Sequence, residues 1–308
     1  MVDSVAGLSS LANQPGASLR VGFIGLGVMG RPMASHVHQA GYELAVWARR
    51  PGGVGDLPAR VCATPAELGG CCDVVFTMVT SSADVEAVAL GQDGLIAGMV
   101  PGSVLVDCST IAPDAARRIA ARLGEKGIDM LDAPVSGGAQ GAIDATLAIM
   151  AGGEVAVLER LRPLLECLGR RIVHVGPNGA GQVAKACNQM IMVAAIQATA
   201  EAMRLAAAAG VDCAKVRQAL AGGSAASRVL EVMGERMVRR DFAAGIEARL
   251  HHKDFGLVLE AARQSGVAVP LTAAVGQQLN ALMAQGWGTD DTASLLRVLE
   301  LGSAGVAV

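Results

Sequence analysis

The chain has 308 residues, and a typical domain of ~150 residues predicts about two domains. Lys and Arg number 25 against 28 Asp and Glu, a formal charge of −3 without a basic block, which argues against electrostatic binding to nucleic acid or to an anionic membrane. Two Trp, one Tyr and four Phe leave few aromatic faces on which bases or sugars could stack. The composition therefore favours a small-molecule partner.

Cysteine usage and the chain's start predict a cytoplasmic protein. The seven cysteines are an odd number and contain no C-x-x-C pair, which favours reduced thiols over zinc ligands or a disulfide framework. Residues 1–19 hold no Lys or Arg and no continuous apolar segment, so we expect a flexible N-terminal extension and no signal peptide. The apolar stretches elsewhere are expected to be too short or too interrupted for a membrane span of ~20 residues.

Residues 20–180 alternate short strand patterns with helical patterns, which is typical of βαβ units and a largely parallel sheet. The predicted strands are Val21–Ile24, Leu44–Trp47, Val74–Met78, Val104–Asp107 and Ile128–Leu131. Turn signals such as Pro101-Gly102 and amphipathic segments such as Pro113–Leu123 separate them. The pattern predicts a Rossmann-type, doubly wound α/β domain.

Residues 181–308 carry helical patterns only. Gln182–Ala209 reads as one long Ala- and Met-rich helix that Gly210 ends, and it is expected to join the two domains. The further predicted helices lie around Asp212–Leu220, Val229–Val238, His252–Gln264 and Leu271–Gln285. We expect an all-helical substrate and oligomerisation domain.

A glycine-rich loop follows the first predicted strand. Gly25-Leu26-Gly27-Val28-Met29-Gly30 stands between that strand and a helical segment, the context in which G-x-G-x-x-G binds the pyrophosphate of a dinucleotide. The second strand ends in Ala48-Arg49-Arg50, where an NAD-selective site usually has an acidic residue. An arginine there can pair with a 2′-phosphate, so we expect NADP(H) to be preferred over NAD(H).

Two later segments carry candidate chemistry. Ser136-Gly137-Gly138 follows the fifth predicted strand, and a hydroxyl followed by glycine amides can bind a carboxylate. Lys185 and Asn188 share one face at the start of the long helix, with Gly181 one turn earlier, where a missing side chain would admit a ligand. A lysine enclosed in an apolar helix has a lowered pKa that suits proton transfer to a carbonyl oxygen.

Other catalytic classes lack their signatures. The five histidines form no H-E-x-x-H pattern or carboxylate grouping, so no metal site is expected. G-x-S-x-G and G-x-x-x-x-G-K-[ST] are both missing from the sequence, which argues against a serine hydrolase and a P-loop protein.

Four motifs in order over residues 20–300 resemble the β-hydroxyacid dehydrogenase family. Gly22–Ala34 resembles the family's cofactor signature and Asp132–Gly138 its substrate-carboxylate segment. Gly181–Asn188 resembles the catalytic segment, and Lys253–Phe255 resembles the Lys-Asp-Leu element beside the site. The resemblance implies a nicotinamide-dependent oxidoreductase that acts on a small hydroxyacid or semialdehyde.

The resemblance also implies residue roles. Lys185 is implied as the general acid/base, with Ser136, Gly137, Gly138, Asn188 and Gln189 binding the substrate. The implied cofactor-binding residues are Gly25, Leu26, Gly27, Val28, Met29, Gly30, Arg49, Val79, Thr80, Thr110 and Lys253. Members of the family are dimers or tetramers, which implies a homo-oligomer.

Within the family, several stretches resemble the tartronate semialdehyde reductase branch: Val88–Gly94, Gly127–Pro134, Pro270–Val275 and Gly286–Thr289, together with Asn188-Gln189 where many relatives have Asn-Asn. Ala48, where relatives often carry Asp or Asn, and Val79-Thr80, which replaces a common Leu-Pro, depart from the family pattern.

Sister dehydrogenases that act on 3-hydroxyisobutyrate, L-serine, threonate or 4-hydroxybutyrate stay open as alternatives. A non-catalytic dinucleotide-binding sensor is a further alternative, against which Lys185 and Asn188 argue. Imine reductases share the architecture but usually lack the lysine, so Lys185 argues against that class too.

Overall fold

The computed structural model describes residues 19–301, and the chain divides into two compact units, one ending at Gln182 and the other beginning at Val183. Residues 1–18 of the expected N-terminal extension lie outside the described part. The doubly wound α/β fold followed by an all-helical region, predicted from the sequence, is confirmed.

The first unit is built on a nine-stranded sheet. Its strands are β1 (Arg20–Ile24), β2 (Glu43–Trp47), β3 (Arg60–Val61), β4 (Val74–Thr77), β5 (Val104–Asp107), β6 (Asp129–Asp132), β7 (Val135–Ser136), β8 (Leu147–Gly152) and β9 (Gly169–Gly176). The order β3-β2-β1-β4-β5-β6 is parallel throughout, as in a Rossmann fold. Strand β8 then runs antiparallel to β6 and β7 and parallel to β9.

Helices cover both faces of this sheet. They are α1 (Gly30–Gln39), α2 (Pro65–Cys71), α3 (Ser82–Leu90), α4 (Leu95–Gly98), α5 (Pro113–Gly124), α6 (Gly138–Ile143) and α7 (Val155–Glu166), with a 3₁₀ turn at Pro51–Gly53. Along β4 the alternation is visible: Val74 and Phe76 lie in one core cluster and Val75 in the other. Phe23 of β1 stacks on Phe76 with ring centroids 5.6 Å apart. Burial on both faces explains the nearly continuous apolar strands.

The five predicted strands agree with the structure to within one residue at each end, but four others escaped prediction. Strand β3 has only two residues, both exposed, and β7 is equally short. In β9, Arg170, Arg171 and His174 interrupt the apolar pattern. These three segments lack the continuous apolar run that identifies a buried parallel strand, whereas β8 carries such a run and was overlooked.

The helix α8 (Ala180–Ala208) begins in the first unit and continues into the second. The second unit adds α9 (Cys213–Ala221), α10 (Arg228–Arg239), α11 (Ala248–Ser265), α12 (Pro270–Ala284), a 3₁₀ turn at Thr292–Ser294 and α13 (Leu295–Glu300). Ser227 caps α10, and Gly266, in the left-handed conformation, ends α11.

Within residues 19–301, α8 is the one helix whose length and composition would allow it to cross a membrane, contrary to the sequence expectation. Its most apolar window has a mean hydropathy of 1.3, and 39% of that window is buried. Val193, Ile196 and Met203 of this helix belong to the core of the second unit, which is the packing expected of a central helix.

Candidate active site

The cofactor edge of the first unit lies at the carboxyl ends of its parallel strands. Strands β1 and β4 are neighbours, and the chain leaves β1 towards β2 on one side and β4 towards β5 on the other. In open α/β sheets the crevice at such a reversal of strand order is where ligands bind. The loops after β1, β4 and β5 therefore surround the candidate dinucleotide site.

The loop after β1 turns tightly at Gly25 and leaves its backbone open at Gly27. Gly25 has φ +96°, and a Cβ there would lie 2.1 Å from the carbonyl oxygen of Met78. Gly27 is exposed, and a Cβ on it would have no atom within 4 Å, so open space remains beside its backbone. Helix α1 begins at Gly30 without a side-chain cap. The loop and this helix end fit a bound phosphate group.

Besides Arg49 and Arg50, which follow β2, a third arginine contacts this part of the chain. The side chain of Arg49 is 75% exposed, with its Nη1 3.4 Å from Asp84 Oδ1. Arg31, in the first turn of α1, donates to the carbonyl oxygens of Gly53 and Val54 at 2.9 and 2.7 Å. Arg31 thus holds the segment that follows Arg49, a role that its position within the cofactor motif did not reveal.

The loops after β4 and β5 are tied to each other. The Val79 amide donates to Ser109 Oγ at 2.9 Å, and Thr77 Oγ1 donates to Asp107 Oδ1 at 2.8 Å. Asp107 is fully buried at the end of β5, and this burial raises the pKa of its carboxyl to about 6. Thr80 lies on the loop after β4 and Thr110 on the loop after β5.

Gln182 fixes the loop that carries Thr110. Its side chain is buried, its Nε2 donates to the Ser109 carbonyl at 2.8 Å, and its Oε1 accepts from the Ile111 amide at 3.1 Å. Both ends of one amide are therefore used on the residues that flank Thr110. Sequence reasoning did not assign Gln182 this part, because its partners are more than 70 residues away.

Asp132, the last residue of β6, anchors the start of α8. Its Oδ1 accepts from the Gly179 amide at 2.7 Å and its Oδ2 from the Gln182 amide at 3.1 Å. A carboxylate at a helix N-terminus meets amides that have no acceptor within the helix. Burial raises the pKa of Asp132, and these two hydrogen bonds act against that rise.

The interpretation of Gly181 as an opening for a ligand is wrong. A Cβ on Gly181 would lie 2.4 Å from the carbonyl oxygens of both Asp132 and Met150. The missing side chain therefore admits the neighbouring strands of the sheet, and it lets α8 begin close against β6 and β8.

Ser136, Gly137 and Gly138 form the turn from β7 into α6. Ser136 pairs with Ala148 of β8, which fixes its backbone at the edge of the sheet. Gly137 and Gly138 have φ of +140° and +65°, conformations that favour glycine.

In the second unit, Lys185 is buried, with 8% of its surface exposed. Burial lowers the pKa of its ammonium group to about 8, although the charge of Asp254 acts in the opposite direction. A lysine with this pKa exchanges a proton near neutral pH, as a general acid/base must.

Asp254 of α11 organises the polar residues around Lys185. Its Oδ2 accepts from Gln189 Nε2 at 2.6 Å, and its Oδ1 lies 2.9 Å from Lys253 Nζ. Asn188 Nδ2 in turn donates to Gln189 Oε1 at 2.9 Å. Two candidate residues from the sequence, Gln189 and Lys253, thus contact one carboxylate that had no assigned role, and Asn188 is joined to it through Gln189.

His251 lies beside this network. It is buried, and its Nδ1 lies 2.6 Å from Thr292 Oγ1. Burial lowers the pKa of its imidazole to about 4, so the ring is neutral at physiological pH. Within residues 19–301 no group of three or more His, Cys, Asp or Glu is arranged to hold a metal ion.

Each of the two units matches a known protein family. The family described as "NAD binding domain of 6-phosphogluconate dehydrogenase" matches residues 20–176. The family described as "NAD-binding of NADP-dependent 3-hydroxyisobutyrate dehydrogenase" matches residues 179–299. The chain belongs to the β-hydroxyacid dehydrogenase family. It is an oxidoreductase with NAD(P)-binding domains, as its motifs predicted.

Individual relatives span nearly the whole chain. It is 43% identical to 2-hydroxy-3-oxopropionate reductase of Escherichia coli (strain K12), over 92% of this chain and 98% of that protein. It is 41% identical to NAD-dependent L-serine dehydrogenase of Pseudomonas aeruginosa, over 88% and 95% of the two chains. The structure of Mycobacterium tuberculosis 3-hydroxyisobutyrate dehydrogenase with L-serine superimposes with a TM-score of 0.84 at 31% identity, covering 92% of this chain and 99% of that one.

Proposed function

We propose that this β-hydroxyacid dehydrogenase reduces tartronate semialdehyde (2-hydroxy-3-oxopropanoate) to D-glycerate and prefers NADP(H). The likeness to the E. coli 2-hydroxy-3-oxopropionate reductase supports the choice of substrate. The observation that carries the proposed chemistry is Lys185, buried and with its pKa lowered to about 8, within the segment that resembles the family's catalytic motif.

When it is bound, the nicotinamide cofactor supplies the hydride that the aldehyde carbon receives. Lys185 Nζ donates a proton to the aldehyde oxygen, and in the oxidative direction it accepts that proton from the hydroxyl. Asn188 and Gln189 orient the oxygen that is protonated, while Ser136, Gly137 and Gly138 bind the carboxylate. Asp254 keeps Gln189 in place through its 2.6 Å hydrogen bond.

The residues proposed to hold the cofactor are those that the sequence resemblance implied. The loop Gly25-Leu26-Gly27-Val28-Met29-Gly30 would hold the pyrophosphate, because its backbone leaves open space at Gly27. Val79, Thr80 and Thr110 would bind the nicotinamide half and Arg49 the 2′-phosphate, and Lys253 is proposed as a further cofactor-binding residue.

The pH dependence of the two directions should be opposite. Reduction requires protonated Lys185, so its kcat is expected to fall as the pH rises through about 8. Oxidation requires the neutral amine, so its kcat is expected to fall as the pH drops through the same value. Steady-state profiles of kcat against pH in both directions measure this. If kcat falls with rising pH in both directions, or with falling pH in both, the role of Lys185 is contradicted.

Arg49→Ala is expected to weaken the binding of NADPH but not that of NADH. The loss of a charge-assisted contact of ~1.5–3 kcal/mol raises the KM for NADPH by about 10–100-fold. The KM for NADH is the internal control and should stay within about twofold, since NADH has no 2′-phosphate. An unmodified enzyme with a higher kcat/KM for NADH than for NADPH would contradict the proposed preference.

A substrate panel tests the proposed function directly. Tartronate, methylmalonate and succinate semialdehydes are compared in steady state with NADPH and with NADH, and tartronate semialdehyde is expected to give the highest kcat/KM. A higher value for another aldehyde would assign the chain to a sister dehydrogenase.

The second candidate is L-serine oxidation, which the 41% identity to the L-serine dehydrogenase favours. L-serine, 3-hydroxyisobutyrate, threonate and 4-hydroxybutyrate belong in the same panel in the oxidative direction. Tight NADPH binding without turnover of any of these compounds would instead support a non-catalytic sensor.

A cytoplasmic location and a homodimer or homotetramer stay predictions. Light scattering measures the number of subunits.

A further inference from the structure

Three of the seven cysteines, scattered in the sequence, meet in the first unit. Cys62 follows β3, Cys71 is the last residue of α2, and Cys72 is the next residue along the chain. The Sγ atoms of Cys62 and Cys71 are 3.8 Å apart, and those of Cys71 and Cys72 are 3.7 Å apart. Cys71 is therefore in contact with a thiol on each side.

A cavity of about 630 Å³ opens beside this group. Arg20, Glu43 and Arg60, which line it, are the first residues of the parallel strands β1, β2 and β3. The cavity therefore lies at the amino edge of the sheet, whereas the cofactor loops lie at the carboxyl edge. Cys71 and Cys72 also line it, which gives a small reagent a route to the thiols.

The three thiols differ in access and in surroundings. Cys71 is half-buried, whereas Cys62 and Cys72 are only 4% and 2% exposed. The guanidinium groups of Arg20 and Arg60 both interact electrostatically with Cys71. Cationic neighbours and partial exposure are the surroundings typical of reactive cysteines.

We propose that Cys71 is an oxidation site at which a peroxide acts, and that the oxidised Cys71 forms an intramolecular disulfide with Cys62. The Cys71 thiolate attacks one peroxide oxygen, so that an S–O bond forms, the O–O bond breaks, and hydroxide leaves. The Cys62 sulfur then attacks the Cys71 sulfenic acid, so that an S–S bond forms and water is released with the Cys62 proton. Two thiols are oxidised by two electrons in total, and one peroxide is reduced.

Cys62 is the better partner for Cys71 than Cys72 is. A disulfide between adjacent residues closes an eight-membered ring that distorts the peptide between them, whereas Cys62 and Cys71 are nine positions apart. Burial raises the pKa of Cys62 to about 12, which keeps it a thiol that is slow to react with an oxidant directly. Its reaction with Cys71 depends on the short distance between the two sulfurs.

Glu67 makes the disulfide easy to detect, because it lies between Cys62 and Cys71 in the sequence. The folded full chain is treated with hydrogen peroxide, its remaining thiols are alkylated, and it is cleaved after glutamate and analysed by mass spectrometry without reduction. Cys62 then lies on one fragment, and Cys71 and Cys72 on the next. We expect the two fragments to be joined in the wild type and in Cys72→Ser, and to separate after dithiothreitol.

The matched controls are Cys71→Ser, in which the fragments should stay separate, and Cys167→Ser, in which they should stay joined. Cys167 matches Cys71 in its intermediate burial, and its thiol donates to the Pro163 carbonyl at 3.4 Å, just as the Cys71 thiol donates to the Leu68 carbonyl at 3.4 Å. In Cys62→Ser a sulfenic acid on Cys71 should be trapped by dimedone.

Unjoined fragments in the peroxide-treated wild type, with Cys167 or Cys187 oxidised instead, would overturn the proposal. Fragments still joined in Cys71→Ser would overturn it as well, because Cys72 would then be the oxidised residue. The main measurement, whether the two fragments are joined, is made on the wild type. The proposal therefore stays testable even if one of the variants fails to fold.

Discussion

Replacing Lys185 with Met is expected to lower kcat by about 10²–10⁴-fold, the usual contribution of a positioned general acid. Met fills much of the same apolar volume but cannot deliver a proton to the aldehyde oxygen. The Kd of NADPH should change little, because the glycine loop and Arg49 remain. Single-turnover reduction of tartronate semialdehyde, followed through NADPH absorbance, measures the chemical step separately from product release.

The Lys185→Met variant is expected to fold. Burial lowers the pKa of Lys185 because desolvation of the ammonium group is unfavourable in free energy. Met has no charge, so the folded protein with Met at this position has no such desolvation penalty. Asp254 keeps Lys253 at 2.9 Å and Gln189 at 2.6 Å, so the substitution does not isolate a buried carboxylate. The melting temperature should therefore not fall.

Lys215→Met is the matched control, since it removes an exposed lysine from α9 and should leave kcat unchanged. A Lys185→Met enzyme that binds NADPH and keeps more than about a tenth of the wild-type kcat would refute the assignment. Loss of NADPH binding together with activity would indicate a structural role instead.

The fold was largely predictable because the buried strands of a doubly wound sheet carry continuous apolar runs such as Val104–Val106. The glycine loop was equally visible, since its residues are contiguous and lie between a strand and a helix. Strand β9 was missed because Arg170, Arg171 and His174 divide its apolar residues, so its pattern resembles that of a loop.

The arrangement of the candidate site residues was predictable only where those residues are close in the sequence. Lys185 and Asn188 share a helix face, and spacing alone places them together. The hydrogen bonds of Gln182 to Ser109 and Ile111 join distant segments, and so does the contact between Gln189 and Asp254. The cysteine group is similar, because chain folding rather than spacing brings Cys62 to Cys71.

Replacing Asp132 with Ala is expected to destabilise the first unit by about 2–4 kcal/mol, because it leaves the buried amides of Gly179 and Gln182 without their acceptor. The lost carboxylate offsets part of this, since burial raises its pKa and its ionised form is partly desolvated. Chemical denaturation in a Trp287→Phe background measures the change, because Trp47 of β2 then reports on the first unit alone.

Two further variants separate the anchor from general disruption of β6. Asp132→Asn keeps one acceptor oxygen but presents an amide to the second N–H group, so about half of the loss is expected. Asp129→Ala removes a carboxylate from the first residue of the same strand. The surface ion pair of Asp129 with Arg160, at 3.3 Å, contributes at most ~1 kcal/mol to stability. If Asp132→Ala shifts the denaturation midpoint no more than Asp129→Ala does, the first turn of α8 does not depend on this carboxylate. The graded order Ala, Asn, wild type would instead show that the two amide hydrogen bonds, and not the volume of the side chain, hold the helix that carries Lys185.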